Sequence, residues 1–392
     1  MKYIFLVGDG MSDEPLSQLG NRTPLEASRI PNMKRLAKGG AVGMCRTIPN
    51  GMPPGSDVAN LSLLGFNPAE YYTGRGPLEA ASIGIPLGKD DYAFRCNLVN
   101  IQDGVMKDYS AGHISTQEAD EIIALLNKKL ADEAVHFYTG VDYRHICVLK
   151  GDFNGLACTP PHDITDRNIE AHLPQGEGSQ KVVSLMNRSR DIVDRCSVNM
   201  KRIENGKLPA TQIWLWGQGK KPDLPSFSEK FGITGSVITA VDLVRGIGRL
   251  AGLEIIHVKG ATGFVDTNYE GKADKALKSL EKKDFVFIHV EAPDEAGHLG
   301  DADLKIRAIE DLDRRLLNRI LSNIGTGYRL LVMPDHPTPV RIKTHSSDPV
   351  PFILWGQGIT TNGVTDYSEK AALDSGLFIE KGHEIINLLF RP

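Results

Sequence analysis

The chain has 392 residues, enough for more than one domain and for a large core that needs no disulfides. Apolar residues make up 41% and charged residues 24%, and 45 basic against 49 acidic side chains, with no basic block, exclude an electrostatic nucleic-acid footprint or a basic membrane-binding face. The cysteines, Cys45, Cys96, Cys147, Cys158 and Cys196, are scattered and odd in number with no C-x-x-C pair, which points away from a disulfide framework or a zinc–cysteine site and towards reduced thiols in the cytosol.

In chain order, the first element is a buried strand at residues 3–7, which delivers Asp9 at its carboxyl end. The apolar run is too short for a signal peptide, and no later stretch is long enough to span a membrane. Next comes NGMPPGSDVANLSLLG. Pro53, Pro54 and Gly55 make a tight lead into a helix at 57–64, with Ser56 at its N-terminus. A serine there is commonly a plain helix cap. The same geometry would let backbone N–H groups and the positive helix end stabilise a phosphate on Ser56, and a cation beside its Oγ would lower the hydroxyl pKa.

Residues 76–208 differ in texture. They hold short runs at 93–99 and 145–149 and a polar, turn-rich stretch at 154–179, which predicts an α+β domain inserted into a larger one formed by 1–75 and 209–392. The larger part carries strand-like runs at 213–216, 254–258, 285–290, 329–333 and 352–355, with helical patterns at 235–250 and 303–321. Alternation of strand and helix predicts an α/β fold with a mostly parallel sheet flanked by helices. IWLWGQG at 213–219 and FILWGQG at 352–358 read as two similar exits from one sheet.

Chemistry-bearing residues follow these strands. Asp294 and His298, in APDEAGHLGD, are one helical turn apart directly after the strand at 285–290. Asp335 and His336 follow the strand at 329–333, and His345 lies in the next loop. Any one of these residues alone reads as a cap or turn former. Several strands ending in carboxylate or imidazole read as a cluster at the carboxyl edge of a sheet, suited to Mn²⁺ or Zn²⁺ more than to Mg²⁺.

GDGMSDEP with Asp9, PPGSDVAN with Ser56, D-x-x-x-H at 294–298, D-H at 335–336 and THSSDPVPF at 344–352 together resemble the cofactor-independent phosphoglycerate mutases, in their short, archaeal-type branch. The resemblance runs over essentially the whole chain. It implies an alkaline-phosphatase-like core, two divalent ions (Mn²⁺, with Zn²⁺, Co²⁺ or Mg²⁺ as alternatives) and no requirement for 2,3-bisphosphoglycerate. It implies that Asp9, Ser56, Asp335 and His336 hold one ion, that Asp294, His298 and His345 hold the other, and that Ser56 carries the phosphate as nucleophile. The inserted domain matches the phosphotransferase domain that closes over the small phosphorylated substrate, with hinges near 76 and 209. Within it His113, Arg144, His162, Asp163 and Arg202 stand in stretches similar to the branch and are candidates for binding substrate. A phosphatase or another phosphotransferase on the same core, such as the homoserine kinase activity proposed for some bacterial relatives, would share this chemistry. An ATP-dependent kinase of the G-x-x-x-x-G-K-[ST] type is excluded by the absence of that loop. So is the histidine-phosphatase type of mutase, since the only R-H pair, Arg144–His145, lies far from the first strand. The sequence leaves the oligomeric state open.

Overall fold

The computed structural model describes residues 1–391. The chain forms two compact units, one of Met1–Tyr72 with the chain from Asp223 onward, the other of Thr73–Pro222. The opening segment holds β1 (Lys2–Gly8) and β2 (Ala41–Cys45). The second unit holds β3 (Asp91–Gln102), β4 (Val105–Asp108), β5 (Val135–Val141), β6 (Arg144–Lys150) and β7 (Gln212–Lys220). The returning chain adds β8 (Gly235–Ile238), β9 (Glu254–Ile255), β10 (Phe285–Val290), β11 (Tyr328–Met333), β12 (Val350–Gly356) and β13 (Phe378–Ile379).

The first unit is an α/β layer structure around one eight-stranded sheet, ordered β13-β2-β12-β11-β1-β10-β8-β9. β1 runs parallel to both β10 and β11, and only β12 runs against its neighbours. Strands covered on both faces read as unbroken apolar runs, which is why 285–290 and 329–333 were legible. Ile4, Leu6, Val286, Ile288, Leu330 and Val332 turn to one face and pack with Tyr269, Leu312 and Leu316 from the helical layer. The register sets Gly8 opposite Val290 and Val7 opposite Met333, so three strands finish at one edge of the sheet. The helical pattern at 303–321 is a continuous helical run with one π stretch, Leu312–Leu317. The π stretch carries buried Asp313, which accepts the backbone N–H groups of Asn32 and Met33 and so caps the helix Pro31–Gly39.

The second unit has a five-stranded antiparallel sheet. Phe94, Cys96 and Leu98 of β3 face one side, where Ile122, Leu126, Val182 and Leu185 of two long helices complete the core. Arg95 and Asn97 alternate to the other side.

Several sequence expectations need correction. The units divide at Thr73 and Pro222, not at 76 and 208, because β7 pairs with β3 and joins the second unit's sheet. The run at 213–216 is therefore not a strand of the larger sheet, and the two W-G-Q-G segments leave different sheets. Gly235–Ile238, expected to be helical, is a buried strand beside β10, and the helix begins only at Asp242. The strand expected over 254–258 shrinks to Glu254–Ile255. No helix among the described residues is long and apolar enough to cross a membrane, and all five cysteines are free thiols.

Candidate active site

Asp9 leaves the end of β1, Asp294 sits in the helix Ala292–Leu299 after β10, and Asp335 and His336 follow β11. Parallel pairing of these strands brings the four side chains together, and all are buried. Gly10 makes the convergence sterically attainable. Its φ is +60°, and a Cβ there would lie 2.7 Å from the Asp294 Cα, so only glycine fits. Its N–H donates to Asp335 Oδ1 at 3.1 Å.

Ser56 is the first residue of the helix Ser56–Leu63, with Gly55 in the capping position. Its hydroxyl is therefore not spent on capping. Oγ lies 3.0 Å from His336 Nε2. Asn60, one turn on, donates to the Ser56 carbonyl at 2.9 Å and to Asp335 Oδ2 at 2.7 Å, fixing the helix start against the carboxylate. His336 Nε2 is 3.4 Å from Asp9 Oδ1.

A second cluster adjoins the first. Asp294 Oδ2 is 3.2 Å from His298 Nε2, and its Oδ1 is 3.5 Å from His345 Nε2. The two imidazole Nε2 atoms are 3.1 Å apart. The Lys343 carbonyl lies 3.0 Å from His298 Nδ1, a bond that turns Nε2 inward. Thr338 donates to Asp294 and lies 3.3 Å from His336 Nδ1, linking the two clusters.

The electrostatics are those of crowded acids. Burial, then the charges of Asp335 and Asp294, push the Asp9 carboxyl well above the usual carboxylate range. Burial acts the same way on Asp294, but bonds from His298 and His345 override it and hold that carboxyl low. Asp335 is likewise held low, by His336 and His289, against its burial. Burial lowers the His336 imidazole from its ordinary range, whereas at His298 partial burial is outweighed by Asp294, which lifts that imidazole to about 9.

Three groups have the spacing for a cation: Asp294 with His298 and His345, Asp9 with Asp294 and His336, and Asp9 with His289 and Asp335, each with ligand atoms within 4.8 Å of one another. Asp9 Oδ1 is enclosed and has no hydrogen-bond partner, although an isolated buried carboxylate oxygen is costly. That orphan, the mutual repulsion of three acids and the mixed carboxylate–imidazole donor set all fit divalent cations such as Mn²⁺ or Zn²⁺.

Every residue singled out for the metal cluster and the nucleophile thus lies in one neighbourhood. Three further members were missed. His289 lies in β10 with Nε2 3.1 Å from Asp9 Oδ2, out of line for a hydrogen bond. An imidazole inside an otherwise wholly apolar strand was the available signal. Asn60 and Thr338 had none beyond proximity to the motifs. In the second unit Arg144 and His162 lie near the polar face of the sheet, His162 with its ring 5.2 Å from that of Trp216. Asp163 is exposed, 3.7 Å from His162. His113 sits in a turn with φ of +49°. Arg202, expected to meet substrate, is buried and spent on structure. It donates to Glu118 at 2.8 Å and to the carbonyls of Ala111 and Leu208.

Residues 37–199 match the family model described as 2,3-bisphosphoglycerate-independent phosphoglycerate mutase. A probable 2,3-bisphosphoglycerate-independent phosphoglycerate mutase of Geobacter sulfurreducens is 51% identical over 99% of both chains. A mutase of that description from Methanothermobacter thermautotrophicus is 50% identical over 100% of this chain and 98% of its own. Among solved structures, a Pyrococcus horikoshii protein superposes with a TM-score of 0.86 at 30% identity, over 99% of this chain and 96% of its own. The cofactor-independent phosphoglycerate mutase of Thermoplasma acidophilum superposes with a TM-score of 0.68 at 29% identity, over 100% of this chain and 99% of its own. With half its residues shared across the full length of such relatives, the chain belongs to the family of 2,3-bisphosphoglycerate-independent phosphoglycerate mutases.

Proposed function

We propose that this protein interconverts 3-phosphoglycerate and 2-phosphoglycerate through a phosphoserine at Ser56, at a site built for two divalent cations. The observation that carries the reading is the convergence of Ser56 Oγ, His336, Asp9, Asp335 and Asp294 on one sheet edge, with the Ser56 hydroxyl free of any capping role. Asp294, His298 and His345 would hold one cation, and Asp9, Asp335, His336 and the Ser56 hydroxyl the other, with His289 beside the second set. Cations bound there would supply charge neutralisation for the phosphoryl oxygens and acidify the serine hydroxyl.

The chain's own groups set the rest. His336 Nε2 and Ser56 Oγ are 3.0 Å apart, close enough for one ion to meet both, and that pairing would aim the serine oxygen. Ser56 Oγ attacks phosphorus in line, and the 3-hydroxyl of glycerate leaves. First-turn N–H groups and the positive end of the helix Ser56–Leu63 favour the phosphate on Ser56. Glycerate stays bound and turns, its 2-hydroxyl takes the phosphoryl group, and Ser56 is regenerated. Exclusion of water separates this outcome from phosphatase action.

The test is conversion of 3-phosphoglycerate to 2-phosphoglycerate without added 2,3-bisphosphoglycerate, with and without Mn²⁺. The reading expects Mn²⁺-dependent conversion and phosphate on the peptide carrying Ser56. Release of inorganic phosphate alone would make the protein a phosphatase, and ATP-dependent phosphorylation of homoserine would make it a kinase.

A further inference from the structure

The strand β10 outruns one of its neighbours. β8 ends at Ile238, opposite Ile288, so His289 and Val290 extend past it. On the other side β1 continues alongside, and the Asp9 N–H donates to the Val290 carbonyl at 2.9 Å. Successive carbonyls of a strand point to opposite sides, so the His289 carbonyl faces the gap that β8 leaves. Two side chains occupy that gap. Lys272, from the helix Tyr269–Leu280, donates from Nζ to the His289 carbonyl at 2.9 Å. Thr239, the residue after β8, places Oγ1 3.5 Å from His289 Nδ1 and accepts the Val241 N–H at 3.0 Å. All three side chains are buried, Lys272 and His289 completely.

A lysine is a demanding choice for such a bond. A buried ammonium carries a large desolvation cost, and a neutral donor would satisfy one carbonyl without it. Packing does not call for it either, since Tyr269, Ala273, Ala276 and Leu280 already supply the face that this helix turns to the core. Its location gives the reason. Lys272 stands behind the one residue of β10 whose ring enters the acid cluster. His289 Nε2 is 3.1 Å from Asp9 Oδ2 and 3.9 Å from Asp335 Oδ2, yet it has no in-line hydrogen-bond partner. These three residues form one of the groups with the spacing for a cation. The ring is thus aimed by two attachments, one on its backbone and one on its far nitrogen, and a buried positive charge backs a strand end that faces three acids.

We propose that Lys272 and Thr239 are positioning residues for the cation cluster, holding His289 where its ring meets an ion shared by Asp9 and Asp335. The inference rests on the two-cation reading of the site. It extends that reading by assigning the fit of one ion to side chains that touch neither ion nor substrate. Outer partners of this kind orient a ligand ring and commonly govern how tightly its metal is held.

The test is calorimetric titration of MnCl2 into the metal-free full chain, with the unfolding midpoint of each variant measured in EDTA. Lys272→Met should weaken Mn²⁺ about ten- to a hundredfold at one position. Thr239→Val should weaken the same position by less, because its contact with the ring is the longer of the two. In a His289→Asn background neither change should weaken Mn²⁺ further, since the ring through which both act is gone. A purely structural role would lower the midpoint in EDTA and leave Mn²⁺ affinity where it was, and that result overturns the proposal. Where Lys272→Met does not fold, Thr239→Val decides alone, and unchanged Mn²⁺ affinity there overturns it. Equal weakening by Lys272→Met with and without the His289 ring would make the lysine a distant charge and also overturn its positioning role. The two-cation reading fails separately. Unaltered protein that takes up no Mn²⁺ removes that reading and the proposal with it, whereas uptake at two positions with unaffected variants removes the proposal alone.

Discussion

Ser56 Oγ and His336 Nε2 lie 3.0 Å apart although 280 residues separate them along the chain. The pairing requires a helix start on one side and the end of β11 on the other to meet at the same sheet edge. Ser56→Ala removes the oxygen and little else, since the helix cap is Gly55. It should lower kcat by about a thousandfold or more with unchanged far-UV circular dichroism. Near-normal turnover in that variant would dismiss the nucleophile.

Removing divalent cations should cost stability as well as activity. Asp9, Asp335 and Asp294 crowd one another inside the protein, and Asp9 Oδ1 has no hydrogen-bond partner. An ion that binds only the folded state adds about 2.7 kcal/mol at a hundredfold excess over its Kd. Differential scanning fluorimetry should show a higher unfolding midpoint with Mn²⁺ than with EDTA, and Asp294→Asn should shrink the difference. An identical midpoint under both conditions would argue against a built cation site.

A buried ion pair holds the two loops that frame the cluster. Lys305 Nζ is 2.7 Å from Asp13 Oδ2 and also donates to the carbonyls of Ser12 and Thr338. Both side chains are fully enclosed. Lys305→Met leaves Asp13 buried without its cation, which should cost about 3–5 kcal/mol in urea unfolding. Pairing it with Asp13→Asn should recover part of that loss. Full additivity of the two changes would show that the pair is not coupled.

The second unit should show its own acid sensitivity. Burial lowers the His145 imidazole to about 4, and Nδ1 accepts the Gly140 N–H at 3.1 Å. An unfolded chain titrates this group near its ordinary value of about 6.5. Between the two values the unfolded state holds the extra proton, so stability rises with pH across that window. It is fully present above the upper value and lost as pH falls through it towards the lower one, by roughly 3 kcal/mol in all. His145→Gln should flatten this part of the stability–pH profile measured by urea unfolding. An unchanged slope would assign it to other groups.

Motif residues were legible because each follows an apolar run that could only be a buried strand. Asp9, Asp294 and Asp335 are sequence signals of that kind, and parallel pairing of β1 with β10 and β11 turns three separate chain positions into one site. His289 escaped because a residue inside a strand reads as core unless the neighbouring strand is known to present Asp9 to it. β7 was assigned to the wrong sheet because a buried strand's composition says nothing about its partner, and only pairing with β3 decides that. Arg202 looked like a substrate ligand because arginine chemistry is the same for an anion and for a set of loop carbonyls. Gly235–Ile238 merged with the following helix because four residues are too few to show a period of two.

Asp9 and Asp294 each belong to two of the three candidate ligand groups. Loading one position therefore changes the charge and orientation of donors that the next ion meets. The two equilibria are thermodynamically linked, and a metal titration should depart from a pair of independent isotherms. Partial occupancy would then leave a protein whose remaining vacancy has an affinity of its own, set by which ion arrived first.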